Sequence, residues 1–181
     1  RAMIIDEHGS VAGRFEIQVD ATSSKAHERF YNLIHVDHWC FEIYGLIRAN
    51  ALRRTMLHGL YSGSDRVLLA ELGLLGRFHE LPEFLFFRRD HPLTSMRVSQ
   101  GHAKRLTAYS PADGSRASRF LGLRRFQGYA SAVRRSGLPK DERRRCYQKL
   151  VRLALEKGAG RAENRARRIA ARIGRRAGAS A

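Results

Sequence analysis

The stretch Ser64-Asp65-Arg66-Val67-Leu68-Leu69-Ala70-Glu71-Leu72 constrains the fold of this chain more than any other segment. It is leucine-rich, Ser64 is a good N-cap in front of it, and Gly76 supplies a stop. The spacing predicts a helix over 65–75. Two strand-like segments follow at 78–81 and 84–87, split by Pro82, and then comes Arg88-Arg89-Asp90-His91-Pro92. An acid at the mouth of a helix, then a strand ending in Arg-x-His, points to an α/β domain whose site handles a hydroxyl and an anionic group.

The flanking segments extend this reading. Residues 3–5 predict a strand closed by the turn signal Asp6-Glu7-His8-Gly9. Phe15, Ile17 and Val19 alternate with polar residues as a short extended segment. Ser23 or Ser24 can cap a helix in which Ala26, Phe30, Leu33 and Ile34 follow the i, i+4, i+7, i+8 pattern. The aromatic run around Trp39, Phe41 and Tyr44 is expected to be buried about Gly45, and 49–55 reads as a short basic helix. Residues 97–118 read as a loop, with helices over 116–135, 140–157 and 161–175. Gly158-Ala159-Gly160 is the clearest linker.

The chain has 181 residues and a net charge of +17, unevenly spread. Residues 139–181 hold 14 Lys/Arg against 4 Asp/Glu, so the body before them is only moderately basic. Two cysteines, Cys40 and Cys146, form no CxxC unit. They make neither a disulfide framework nor a zinc site, which fits a reducing compartment. No apolar run approaches the roughly 18–20 residues that cross a bilayer. No secretory leader pattern opens the chain, and a cytoplasmic location is expected.

Asp65 is the first candidate for chemistry. The positive end of a helix dipole suits an ionised carboxylate, and such a group can deprotonate a hydroxyl. Ordinary helix capping also explains an Asp at this position. Arg89 and His91 are two apart, so on an extended segment they share a face and could converge on one anion or on a metal bound to it. The competing reading is a solvated strand end. Trp39 and Tyr44 could stack on a sugar ring, or simply belong to the core. No GxGxxG or P-loop motif is present.

The tail carries a thin stripe of Ala162, Ala166, Ile169, Ala170 and Ile173 among seven arginines. A basic amphipathic helix of this kind can lie on an anionic membrane or bind nucleic acid, or have no partner.

The residues together resemble the C-terminal half of a bacterial family 2 glycosyltransferase of the GT-A type, over residues 4–95. The resemblance rests on Ile5-Asp6-Glu7-His8-Gly9, Tyr44-Gly45-Leu46-Ile47-Arg48-Ala49, Leu52-Arg53-Arg54-Thr55, the run from Ser64 to Leu72, Gly76-Arg77-Phe78, Leu81-Pro82-Glu83 and Arg88-Arg89-Asp90-His91-Pro92. It implies transfer of a sugar from a nucleotide-sugar donor to an acceptor hydroxyl with inversion, in polysaccharide or glycolipid synthesis. Asp65 matches the family's base, although Ser64 stands where a Glu often precedes it. Arg89 and His91 match the Arg-x-His near the donor diphosphate and its metal, with His91 a metal ligand. Trp39, Tyr44 and Gly45 fall in the segment that shapes the acceptor pocket.

The resemblance also implies a donor-binding half of βαβ units ending in Asp-x-Asp, which holds Mg2+ or Mn2+. This chain contains no Asp-x-Asp. It is therefore expected to be a fragment or half of a split enzyme, with little transfer activity alone and with an exposed sheet edge. The expected organisation is the C-terminal part of a GT-A fold over 1–96, a loop and helical extension over 97–157, and a basic tail over 158–181. The expected partners are a nucleotide-sugar donor and a saccharide or lipid-linked acceptor. The tail would suit a peripheral place at the inner membrane face. The rival reading is a non-catalytic basic module that binds nucleic acid or anionic membrane through its Arg-rich helices.

Overall fold

The computed structural model describes the backbone of residues 1–16, 19–92 and 114–178, with their side chains except at 114–121 and 160–178. Strands β1 (Ala2–Ile5), β2 (Val11–Phe15) and β3 (Phe86–Arg89) form one sheet in the order β2-β1-β3. β1 pairs antiparallel with β2 and parallel with β3, which sets Ala2 opposite Phe86 and Ile5 opposite Arg89. The turn between β1 and β2 forms as expected. Asp6 Oδ1 accepts from the amides of His8 and Ser10 at 2.9 and 2.8 Å, and Gly9 takes φ +90°, where a side chain would be strained.

The helices are α1 (Ala26–His35), α2 (Ala49–Leu52), α3 (Ser64–Leu75), α4 (Gly114–Arg135) and α5 (Lys140–Gly178), with a 3-10 helix over Phe41–Tyr44. The result is a mixed α/β unit, about half helical, with a small three-stranded sheet.

Helix α1 sits between two apolar clusters. Phe30 and Ile34 pack with Val67, Ala70 and Leu74 of α3, Tyr129 and Val133 of α4, and Cys146, Leu150 and Leu153 of α5. Leu33 packs with Leu69, Val19, Ala21 and Cys40. The i, i+4, i+7, i+8 pattern read from sequence therefore holds, because Ala26, Phe30, Leu33 and Ile34 are all buried. Each large apolar side chain removed from water here stabilises by about 1.5–3 kcal/mol. Arg29 is also buried. It donates to the carbonyls of Gly73 at 2.7 Å and of Ser23 and Ser24 at 2.7 and 3.0 Å, tying the start of α1 to α3.

Several expectations are corrected. The extended segment is 11–15, so Phe15 belongs to it while Val19 is a core residue; Ile17 lies outside the described residues. Lys25, not Ser23 or Ser24, holds the N-cap position of α1, and Ser23 Oγ instead accepts from the Lys25 amide at 3.1 Å. Helix α3 starts at Ser64 itself, with Gly63 before it in the left-handed region at φ +86°. The positive φ favours glycine at this position, and a Cβ there would also make the Arg125 side chain shift. Residues 78–81 form no strand, and Phe78 only ties back to Ala21 through one backbone bond.

The chain is helical from Gly114, inside the segment read as loop, and residues 93–113 lie outside the described residues. The linker at Gly158-Ala159-Gly160 is absent: α5 runs through it without a break. Surrounding Ala, Glu, Lys and Arg are strong helix formers and outweigh two glycines. Among the described residues β2 and β3 each have one strand partner, and Phe87 on β3 is exposed.

Candidate active site

The site is built from the N-terminus of α3 outward. Before the helix, the Tyr61 amide donates to the Gly59 carbonyl at 2.9 Å, and Ser64 Oγ donates to the same carbonyl at 2.7 Å. This folds the chain tightly into the helix and sets Asp65 in its first turn. Asp65 Oδ1 accepts from the Arg66 amide at 2.8 Å, and the residue is half-buried.

Arg66 fixes what lies opposite. Its guanidinium donates to the Val36 and His38 carbonyls at 3.2 and 2.7 Å and pairs with Asp37. His38 is buried, with its ring near Glu42 at 3.3 Å and the Leu33 carbonyl at 3.2 Å. These bonds pin the loop that delivers Trp39 and Cys40. Cys40 adopts φ +58° and is buried beside Asp65. Burial first, then the Asp65 charge, pushes its thiol up to about 12, so it is no nucleophile at neutral pH.

Trp39 turns the other way, towards the sheet. Its ring lies 6.1 Å from Phe15 and 5.9 Å from Phe41, while Tyr44 stacks on Phe86 at 4.9 Å. The Arg88 guanidinium sits 4.6 Å from the Trp39 ring centre and 5.7 Å from that of Phe41. The expectation that this segment is buried is overturned: Trp39 is 48%, Tyr44 67% and Leu46 105% exposed, and Gly45 is exposed too. Gly45 also has ordinary negative φ, at −74°. The aromatics form a half-open platform on one side of the sheet. A planar, apolar, partly wet surface of this kind suits the face of a sugar ring.

The adjacent residues Trp39 and Cys40 face two different surroundings, Cys40 against Asp65 and Trp39 against Arg88. Arg89 lies elsewhere. As its neighbour in a strand it points to the opposite face. Its Nη1 donates to the Asp6 and Glu7 carbonyls at 2.9 and 2.8 Å, so it ties down the β1–β2 turn. His91 is half-buried just past the end of β3. Sequence reasoning missed Arg88, Phe86 and Phe15. Period-two alternation from Phe86 would have put Phe86 and Arg88 on one face and Arg89 on the other.

Among the described residues no three His, Cys, Asp or Glu side chains converge as a metal site. His91 alone does not make a cage for Mg2+ or Mn2+. Among the described residues no helix is long and apolar enough to cross a membrane. No protein-family model, curated protein or solved structure matches this chain.

Proposed function

We propose that this α/β unit is the acceptor-side part of a GT-A fold and that it serves an inverting glycosyltransferase. The observation that carries the reading is the placement of Asp65 beside buried Cys40 and of the half-exposed platform at the adjacent residue, Trp39. An acceptor sugar lies against Trp39 and Tyr44, with its attacking hydroxyl directed to Asp65. Asp65 takes the proton as the hydroxyl oxygen bonds to the anomeric carbon of the donor. The bond from that carbon to the nucleoside diphosphate breaks on the opposite face, and its electron pair leaves with the diphosphate. General-base assistance of this type contributes about 10²–10⁴-fold in rate.

Arg88 supplies positive charge on the platform side, next to the acceptor. Arg89 and His91 then support the strand end that presents Arg88. A donor diphosphate and its divalent ion would need further ligands beyond those described.

Trp39 is the only tryptophan, so its fluorescence reports this site directly. Titration with neutral and acidic oligosaccharides is expected to change its emission saturably. Trp39→Phe should keep the fold and weaken the saccharide, read by calorimetry. If no saccharide in the panel perturbs Trp39 or binds by calorimetry, the acceptor reading fails.

A further inference from the structure

The outer face of α5 carries apolar residues where a solvated helix would carry polar ones. Tyr147, Val151 and Leu155 follow i, i+4, i+8 and are 38%, 58% and 69% exposed. That spacing sets them in one row along the helix. On the flank of α5 that faces α1, Arg145, Lys149 and Arg152 line a shallow groove with His27. Lys149 Nζ and the Arg152 guanidinium stand 4.7 and 5.1 Å from the Tyr31 ring centre, which orients both cations.

Two carboxylates on this side are already engaged. Glu142 meets His27 Nδ1 at 2.9 Å, and Glu156 accepts from Arg152 at 2.8 Å and from the Tyr31 hydroxyl at 3.1 Å. Over its length α5 contains 14 Lys/Arg against 4 Asp/Glu.

We propose that α5 docks the protein on an anionic lipid surface. Tyr147, Val151 and Leu155 enter the boundary between headgroups and acyl chains, while Arg145, Lys149 and Arg152 meet lipid phosphates. Charge complementarity alone would serve a nucleic acid as well. The exposed apolar row decides between them, since a phosphate backbone offers it nothing and a membrane interface does.

The test is co-sedimentation of the full chain with vesicles of phosphatidylcholine, with and without about one third phosphatidylglycerol, at physiological salt. The protein is expected to sediment with the anionic vesicles and not with the neutral ones. Val151→Asp with Leu155→Asp should lower the partition about ten-fold while circular dichroism is unchanged. Arg145→Gln with Lys149→Gln and Arg152→Gln should lower it about 100-fold. The proposal is overturned by failure to bind anionic vesicles, by equal binding to neutral ones, or by an unchanged partition in either folded variant. Tighter binding to duplex DNA than to anionic vesicles also overturns it and makes α5 a nucleic-acid helix. The readout is independent of Trp39, so this inference and the transferase reading can fail separately.

Discussion

Arg88 stands over Trp39, its guanidinium 4.6 Å from the indole centre, and this contact joins the strand β3 to the loop that carries Cys40 against Asp65. The pair is half-open to solvent and contributes about 0.5–1 kcal/mol. Arg88→Ala is therefore expected to fold normally. It should lower the ratio of iodide to acrylamide quenching of Trp39 about two-fold, because both quenchers gain access to the uncovered ring and only the anion feels the lost charge. An equal ratio in both proteins would separate Arg88 from the platform.

Gly73 lies inside α3, where alanine would ordinarily gain about 1 kcal/mol of helix propensity. A Cβ there would come within 2.4 Å of Leu33 Cδ1, and Leu33 is fully buried in the second cluster. Overpacking costs about 1–3 kcal/mol and outweighs the gain. Gly73→Ala is expected to lower the urea midpoint. A raised midpoint would mean that Leu33 has room to move.

The Glu42 carboxylate is pushed up by burial, but the His38 hydrogen bond and the nearby His38 and Arg66 charges outweigh this and hold it below the ordinary 4.5. A carboxyl depressed in the folded state adds stability that is present above its unfolded value and is lost as pH falls through the folded one. The wild type is therefore expected to lose stability from about pH 4.5 downward, and Glu42→Gln to show a shallower loss in urea titrations over the same range. Parallel pH curves for the two proteins would exclude Glu42 from the acid response.

Gly158 offers a cleaner reading of α5, since a Cβ added there meets nothing within 4 Å. Gly158→Ala should stabilise the continuous helix by up to about 1 kcal/mol. Amide hydrogen exchange on both sides of the position is expected to slow. Unchanged exchange would restore a linker between two helices.

Local chemistry made the helix at Ser64–Leu75, the pattern on Ala26–His35 and the turn after Ile5 legible, because each depends on neighbours within a few residues. The misreadings have different causes. The aromatic segment looked like core because composition does not distinguish a buried cluster from a half-open one covered by a single arginine. The glycines at 158 and 160 looked like a linker because their cost was weighed without the helix formers around them. Arg88 was overlooked for Arg89 because placing the strand at 84–87 left both arginines beyond its end; the observed register of Phe86 with Ala2 separates their faces. The closeness of Cys40 to Asp65 depends on Arg66 reaching back to residues 36–38, a tertiary tie with no sequence signature.

The most direct measurement is the transfer of labelled sugar from a nucleotide-sugar pool to a bound oligosaccharide by this unit together with its donor-binding half, with wild type and Asp65→Asn compared at equal saturation of the Trp39 site. The account expects the variant to bind acceptor within a few-fold of wild type and to lose about 10²–10⁴-fold in transfer rate. Transfer by Asp65→Asn at nearly the wild-type rate would contradict the role of Asp65 as the base.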